Sequence, residues 1–179
     1  VSDEALAALI RLEIQTNALD DAEKRIADMR RDDMSNAMAD ILSGELAMKR
    51  GLPDEAIKAY GAAQQRMPST AGLLGLVDAL TAKGDLARAI DALEQWRKQH
   101  PDDRQALTRL ALTYLPAQRL DEARVLYEQL LATTQDDPML LLNLARLYQL
   151  KGDKRARATA EKALALAPES ASALDTLGW

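Results

Sequence analysis

Side chains able to do covalent or metal chemistry are scarce in this 179-residue chain, which has no cysteine and a single histidine, His100. Without thiols neither a disulfide framework nor a thiolate metal site can form, and one imidazole leaves multi-histidine metal sites out of reach and a histidine-based triad without support. His100 precedes Pro101 at the expected end of a helix, where a partly charged imidazole meets free carbonyls. That structural role is preferred over a catalytic or ligand one. The acidic pairs Asp32–Asp33, Asp102–Asp103 and Asp136–Asp137 lack the alternating oxygen ligands and the glycine of a calcium loop, so they read as solvated turns with weak helix-capping value. Glycine-rich phosphate loops and a nucleophile elbow are absent from the sequence. No catalytic, cofactor-binding or metal residue is assigned, and the chain is expected not to be an enzyme.

Charge and composition narrow the alternatives. A net charge of −5 and a pI near 5.0 argue against a nucleic-acid partner, which calls for a basic face. The basic end that contains Lys151, Lys154, Arg155 and Arg157 lacks interleaved aromatics and reads as an ordinary solvated helix face. Leu and Ala together fill 64 positions, whereas Val, Ile and Thr fill 18, which is the composition of helices. With 47% hydrophobic and 28% charged residues the chain can bury a core, and no uncharged apolar stretch of about 18 residues offers direct membrane insertion. Missing cysteines are compatible with either the cytosol or the periplasm. The chain starts at Val1 without a leader and stops at Trp179 inside an apolar-periodic run, so it is expected to be a piece of a longer protein.

The elements that position these residues follow a repeat. Ala22, Ala56, Ala89, Ala123 and Ala156 recur with a period of about 34 residues. Gly51, Gly84 and Gly152 stand upstream of this column, and Pro68, Pro101 and Pro168 stand one helix length downstream of its members. Leu107, Leu110, Ala111 and Tyr114 return one period later as Leu141, Leu144, Ala145 and Tyr148. Apolar spacings of three and four, as in Leu73, Leu76, Val77 and Leu80 and then Leu86, Ala89, Ile90 and Leu93, make each repeat two amphipathic helices around a short turn. Glycine suits the left-handed closure of the first helix, Asp85 and Asp153 can begin the second, and the prolines stop it. Pro116 is expected to end or bend the first helix of the fourth repeat and to widen the turn at Gln118 and Arg119.

This pattern resembles the tetratricopeptide repeat. The repeats are residues 3–36, 37–69, 70–103, 104–137 and 138–170, with 171–179 opening a sixth whose open end is expected to self-associate or fray. The resemblance implies an all-α fold, a single right-handed superhelical solenoid of antiparallel helix hairpins over residues 1–179. Asn17 and Gln118 replace the turn glycine, and the second and fifth repeats are one residue short. In the second repeat Asp40 and Ser43 fall where neighbours place Leu. Either the helix is rotated to bury Ile41 and Leu42, or Asp40 has a buried partner; rotation is preferred because an unpaired buried carboxylate is costly.

The same resemblance implies that first helices line a concave wall. Its row runs Ala7, Arg11, Ile14; Ile41, Glu45, Met48; Leu74, Asp78, Thr81; Thr108, Leu112, Leu115; and Leu142, Arg146, Gln149. From this row Arg11, Ile41, Glu45, Leu74, Asp78, Thr108, Leu112, Leu115, Leu142, Arg146 and Gln149 are the candidate partner-binding residues. Leu112, Leu115 and Leu142 are expected to form an apolar strip for a peptide or amphipathic helix, with Arg146 at its edge. The alternative is that these residues are half-buried against neighbouring repeats. The Lys, Asn and Arg clamp with which some tetratricopeptide proteins hold a chaperone's terminal carboxylate is missing from the row.

From residue 138 the wording becomes more particular: Asn143 to Ala145, Tyr148 to Asp153, Ala160 to Pro168 and Leu174 to Trp179. It resembles the tetratricopeptide lipoproteins that accompany bacterial exosortase (PEP-CTERM) and exopolysaccharide clusters. That resemblance implies an exported, envelope-associated scaffold, periplasmic or anchored to the outer membrane. A cytosolic adaptor is the second reading.

Overall fold

The computed structural model describes residues 2–32, 36–134 and 136–168. Among them are ten helices and no strand: α1 (Asp3–Gln15), α2 (Leu19–Asp32), α3 (Ala37–Lys49), α4 (Pro53–Arg66), α5 (Thr70–Ala82), α6 (Leu86–Gln99), α7 (Arg104–Tyr114), α8 (Leu120–Thr133), α9 (Pro138–Leu150) and α10 (Arg155–Leu166). The expected short eleventh helix, with its open end at Trp179, lies outside the described residues. The chain forms two compact units, Val1–Gln99 with three hairpins and His100–Trp179 with two.

In the first unit α1, α3 and α5 pack side by side and make one wall, and each also packs on the second helices beside it. In the second unit α7 packs on α8, α8 on α9, and α9 on α10. The alanine column lies in the core. Ala22, Ala56, Ala89 and Ala123 are completely buried, and Ala156 nearly so.

Every first helix closes in the same way. A residue with positive φ follows it: Asn17 (66°), Gly51 (72°), Gly84 (83°), Gln118 (58°) and Gly152 (65°). The amide of that residue donates to the carbonyl three positions back, and the next amide donates five positions back. Examples are Gly84 to Thr81 at 2.9 Å with Asp85 to Leu80 at 2.9 Å, and Gln118 to Leu115 at 3.0 Å with Arg119 to Tyr114 at 2.9 Å. These paired bonds satisfy carbonyls that a helix end otherwise leaves open. Starting the first helices, the side chains of Ser2, Asn36, Ser69, Asp103 and Asp137 each accept a backbone N–H. Asp85 and Asp153 do so for α6 and α10, accepting from Arg88 and Arg155.

Pro116 ends α7 at Tyr114, as the sequence predicts; the Leu112 carbonyl accepts instead from the Leu115 amide at 3.3 Å. The turn that follows is widened, as expected, to residues 115–119 where the first three hairpins have 16–18, 50–52 and 83–85, yet Gln118 and Arg119 make the same closing bonds as every other repeat. The two missing residues have separate explanations. In the second repeat the loop after α4 is short, and a Gln64 amide spans it, donating to the Ser69 carbonyl at 2.8 Å and accepting from the Ser69 amide at 2.9 Å. In the fifth, the second helix starts with a tighter step, the Ala156 amide reaching the Asp153 carbonyl three positions back, where Ala22, Ala56, Ala89 and Ala123 reach four back.

The preferred reading of the second repeat needs correction. Ile41 and Leu42 are buried, but Asp40 is buried as well. Its carboxylate is held between Arg30 of α2 at 2.8 Å and Arg66 of α4 at 2.9 Å. Flanking helices enclose α3 on both sides, so no rotation could turn Asp40 to solvent; two guanidiniums offset its desolvation instead. Ser43 satisfies its hydroxyl on the Ala39 carbonyl at 2.7 Å.

The closing residues give a direct test. An added Cβ at Gly84 meets nothing within 4 Å, so Gly84→Ala changes only backbone strain. It should cost about 1 kcal/mol in urea unfolding, whereas Gln118→Gly should stabilise by about 0.5 kcal/mol, relief of strain outweighing the more flexible unfolded chain.

Candidate functional site

The expected wall row divides on burial. Ile41 (4% exposed) and Leu142 (2%) are core residues, and the sequence assignment of both as partner-binding is wrong. Ile41 packs with Ala56, Tyr60, Ala63 and Ala79 between α3, α4 and α5. Leu142 packs with Leu141 and Ala163, with Leu131 and Leu164 beside them. Helices covered on two sides bury a wider arc than one hairpin requires, and the arc takes in these positions. Ala7 and Ile14 are core for the same reason.

The remaining candidates reach the surface. Asp78, Arg146, Gln149 and Leu112 are exposed, Leu112 by 39%, while Arg11, Glu45, Leu74, Thr108 and Leu115 are half-buried. One pair is brought into contact: the Arg11 guanidinium on α1 grips the Glu45 carboxylate on α3 through Nε and Nη2 at 3.1 Å, and Nη2 also approaches Met38 Sδ at 3.7 Å. A half-buried, forked pair of this kind fixes the wall's charge positions better than a freely solvated one.

Tyr60, on the second helix α4, is a wall residue that the row omitted. It is 5% exposed, and its ring lies between α3 and α5, against Gly44 of the one and Gly75 of the other. A Cβ built at Gly44 falls 2.6 Å from Tyr60 Cζ, and one at Gly75 falls closer still to Cε1. Only residues without a side chain leave room for the ring's outer half. Burial pushes the phenol's pKa up, helped by the negative charges of Glu45 and Asp78 and opposed by Arg11. Gly44 and Gly75 thus make the space that the ring occupies between α3 and α5. Glycines inside two successive first helices, an unfavourable choice for helix propensity, were the sequence signal.

Three of the basic C-terminal residues, Lys151, Arg155 and Arg157, are tied to carboxylates. Lys151 pairs with Asp121 and Arg157 with Glu161, while Arg155 bridges Asp153 and Glu128 and lies 4.2 Å from the centre of the Tyr148 ring. Hydrogen bonding from Arg155 holds the Asp153 carboxyl down at about 2. His100 is exposed just beyond α6. No group of three or more His, Asp or Glu side chains fit to hold a metal occurs among the described residues, and no described helix is long and apolar enough to cross a membrane.

Residues 74–138 match the tetratricopeptide repeat family. The hairpin geometry extends that likeness to solved structures. YrrB, described as a TPR protein with an unusual peptide-binding site, is 18% identical, with a TM-score of 0.74 over 97% of this chain and 91% of its own. The fold is that of the tetratricopeptide repeat. TTC0263 of Thermus thermophilus, a thermophilic TPR protein, is 22% identical with a TM-score of 0.71 over 99% of this chain and 97% of its own. PilF of Pseudomonas aeruginosa is 18% identical with a TM-score of 0.77 over 98% of this chain and 86% of its own. No curated protein matches the sequence. Within this tetratricopeptide fold the expected all-α hairpin class is the one observed.

The Tyr60 passage predicts a coupled pair. Gly75→Ala should cost about 2 kcal/mol by overpacking against the ring, and in a Tyr60→Leu background its additional cost should fall below about 0.5 kcal/mol. Equal costs in both backgrounds, measured by chemical unfolding, would place the ring elsewhere.

Proposed function

We propose that this tetratricopeptide chain is a non-catalytic protein–protein interaction scaffold that holds a peptide or helix along its first-helix surfaces. The observation that carries this reading is the exposed Leu112 with half-buried Leu115 one turn on, apolar surface that the hairpin core does not use. Thr108, a turn earlier on α7, continues that face. Leu74 with Asp78 on α5, and Arg146 with Gln149 on α9, add an apolar and a polar margin to their own walls. Apolar anchors supply most of the energy in such contacts, and flanking charges set register and association rate. The likeness to YrrB supports a peptide as the bound form.

The scaffold's place in a bacterial envelope system for export or exopolysaccharide assembly is supported by the wording of residues 138–179 alone. A cytosolic adaptor, without the chaperone carboxylate clamp, is the second reading. A signal sequence and lipidation cysteine encoded ahead of Val1 would decide for the envelope.

Photo-cross-linking in the native host tests the binding surface. A photoreactive residue at position 112 should give a discrete adduct that Leu115→Asp removes, and the same residue at Lys58, exposed on α4, should give none. Equal labelling from both positions would sink the proposal. Stability separates wall from core: Leu112→Asp should change unfolding free energy by less than about 0.5 kcal/mol, whereas Leu142→Asp, which buries a carboxylate in the α9–α10 contact, should cost more than about 3 kcal/mol.

A further inference from the structure

In the first compact unit a hollow of about 640 Å³ opens where the N-terminal ends of α1 and α3 lie beside the C-terminal end of α4. Two methionines line it, half-buried Met38 and Met67, which is 57% exposed. Repeat packing does not require the pair: later repeats place Ala71, Gln105 and Met139 where the second has Met38, and His100, Thr134 and Ala167 where it has Met67. Thioether side chains are flexible and polarizable, and they fit themselves to an apolar partner. Polar groups at the hollow are unevenly satisfied. The Arg66 guanidinium is bound to the buried Asp40 carboxylate at 2.9 Å, and Arg11, which approaches Met38 Sδ at 3.7 Å, is held by Glu45. Asp3 and Glu4, on the α1 rim, are exposed and have no ion-pair or hydrogen-bond partner among the described residues. The Asn36 side-chain oxygen accepts from the Ala39 amide at 3.1 Å, while its NH2 group donates to no described residue.

We propose that this hollow takes an extended segment of a partner protein in which a leucine- or methionine-sized side chain stands next to a lysine or arginine. The apolar side chain enters between Met38 and Met67 and removes their exposed surface from water. Charge complementarity selects its basic neighbour. Both nearby guanidiniums are bound by carboxylates of this chain, whereas Asp3 and Glu4 face only the partial charges of a helix end. Asp40 is shared between Arg66 and Arg30, so positive charge is in surplus on the α4 side and the incoming cation belongs beside α1. An extended backbone also offers a carbonyl to the Asn36 NH2 group, which a helix, with its carbonyls bonded internally, does not. The inference rests on the peptide-binding reading above, adding a second contact and the residue pattern it selects.

The test follows methionine methyl signals of the full chain at low salt, with hexapeptides capped at both ends. The probes are Gly-Ser-Leu-Lys-Ser-Gly, the same peptide with glutamate for lysine, and the same with alanine for leucine. The leucine–lysine peptide should move the Met38 and Met67 methyls in a saturable way, and either replacement should weaken binding about threefold or more. Asp3→Asn combined with Glu4→Gln, both at exposed positions, should weaken the leucine–lysine peptide about two- to fivefold, as should raising the salt to about 0.5 M. Met67→Ser should weaken it too, and Met67→Leu should restore it. Binding indifferent to the acidic variant and to salt, an equal response to the glutamate peptide, or unmoved methyls at about 10 mM peptide would overturn the proposal. A discrete adduct from position 112 together with unmoved Met38 and Met67 methyls removes this hollow and leaves the scaffold reading standing. A saturable leucine–lysine response without any adduct from position 112 supports the hollow and counts against the apolar surface of α7.

Discussion

Five times, once in every repeat, the chain must enter the left-handed backbone region to reverse direction. Everything else in the fold depends on that closure. It sets the length of each first helix and turns the second helix back on it. The alanine of the second helix is then buried in repeat after repeat. Three positions meet the requirement with glycine, Asn17 with a residue that tolerates the left-handed region, and Gln118 against its own steric preference. That Gln118 adopts the conformation shows that the paired closing bonds and the packing of the hairpin outweigh about 1 to 2 kcal/mol of local strain. Pro116 makes the same point from another direction, since it shortens α7 and yet leaves the closing bonds unchanged.

Because each closure is local, variation in repeat length is absorbed locally too. One missing residue is taken up in a loop clipped by Gln64 and another in the first turn of α10, so the register of the buried columns survives both. Stacking adds a second level of burial that a lone hairpin would not have. It encloses α3 so completely that a carboxylate at position 40 has nowhere to go but between two arginines. Such a triad is weak evidence for stability and better understood as a way of tolerating a polar residue where the stack leaves no exit.

The first-helix surfaces of the two units are thus neither wholly free nor simple extensions of the core. Some residues of the row are sealed by neighbouring helices, some are held in ion pairs, and some, around Leu112, are left apolar and accessible. Tyr60 fills part of the first unit's wall from behind, made possible by Gly44 and Gly75.

The sequence by itself determined the all-α class, the pairing of helices into hairpins, the buried alanine column and the early end of α7. These depend on spacing along one or two helices and on the backbone preferences of glycine and proline, which are local and therefore legible. Tertiary structure decided which wall residues are accessible. Ile41, Leu142 and Leu112 occupy comparable apolar positions in the sequence, yet two are core and one is surface, because burial is set by helices that arrive from other repeats. It also decided that Asp40 is paired rather than turned outward, and that Tyr60 reaches the wall at all. Each outcome depends on the distance between helices far apart in sequence, a quantity that helical periodicity does not contain.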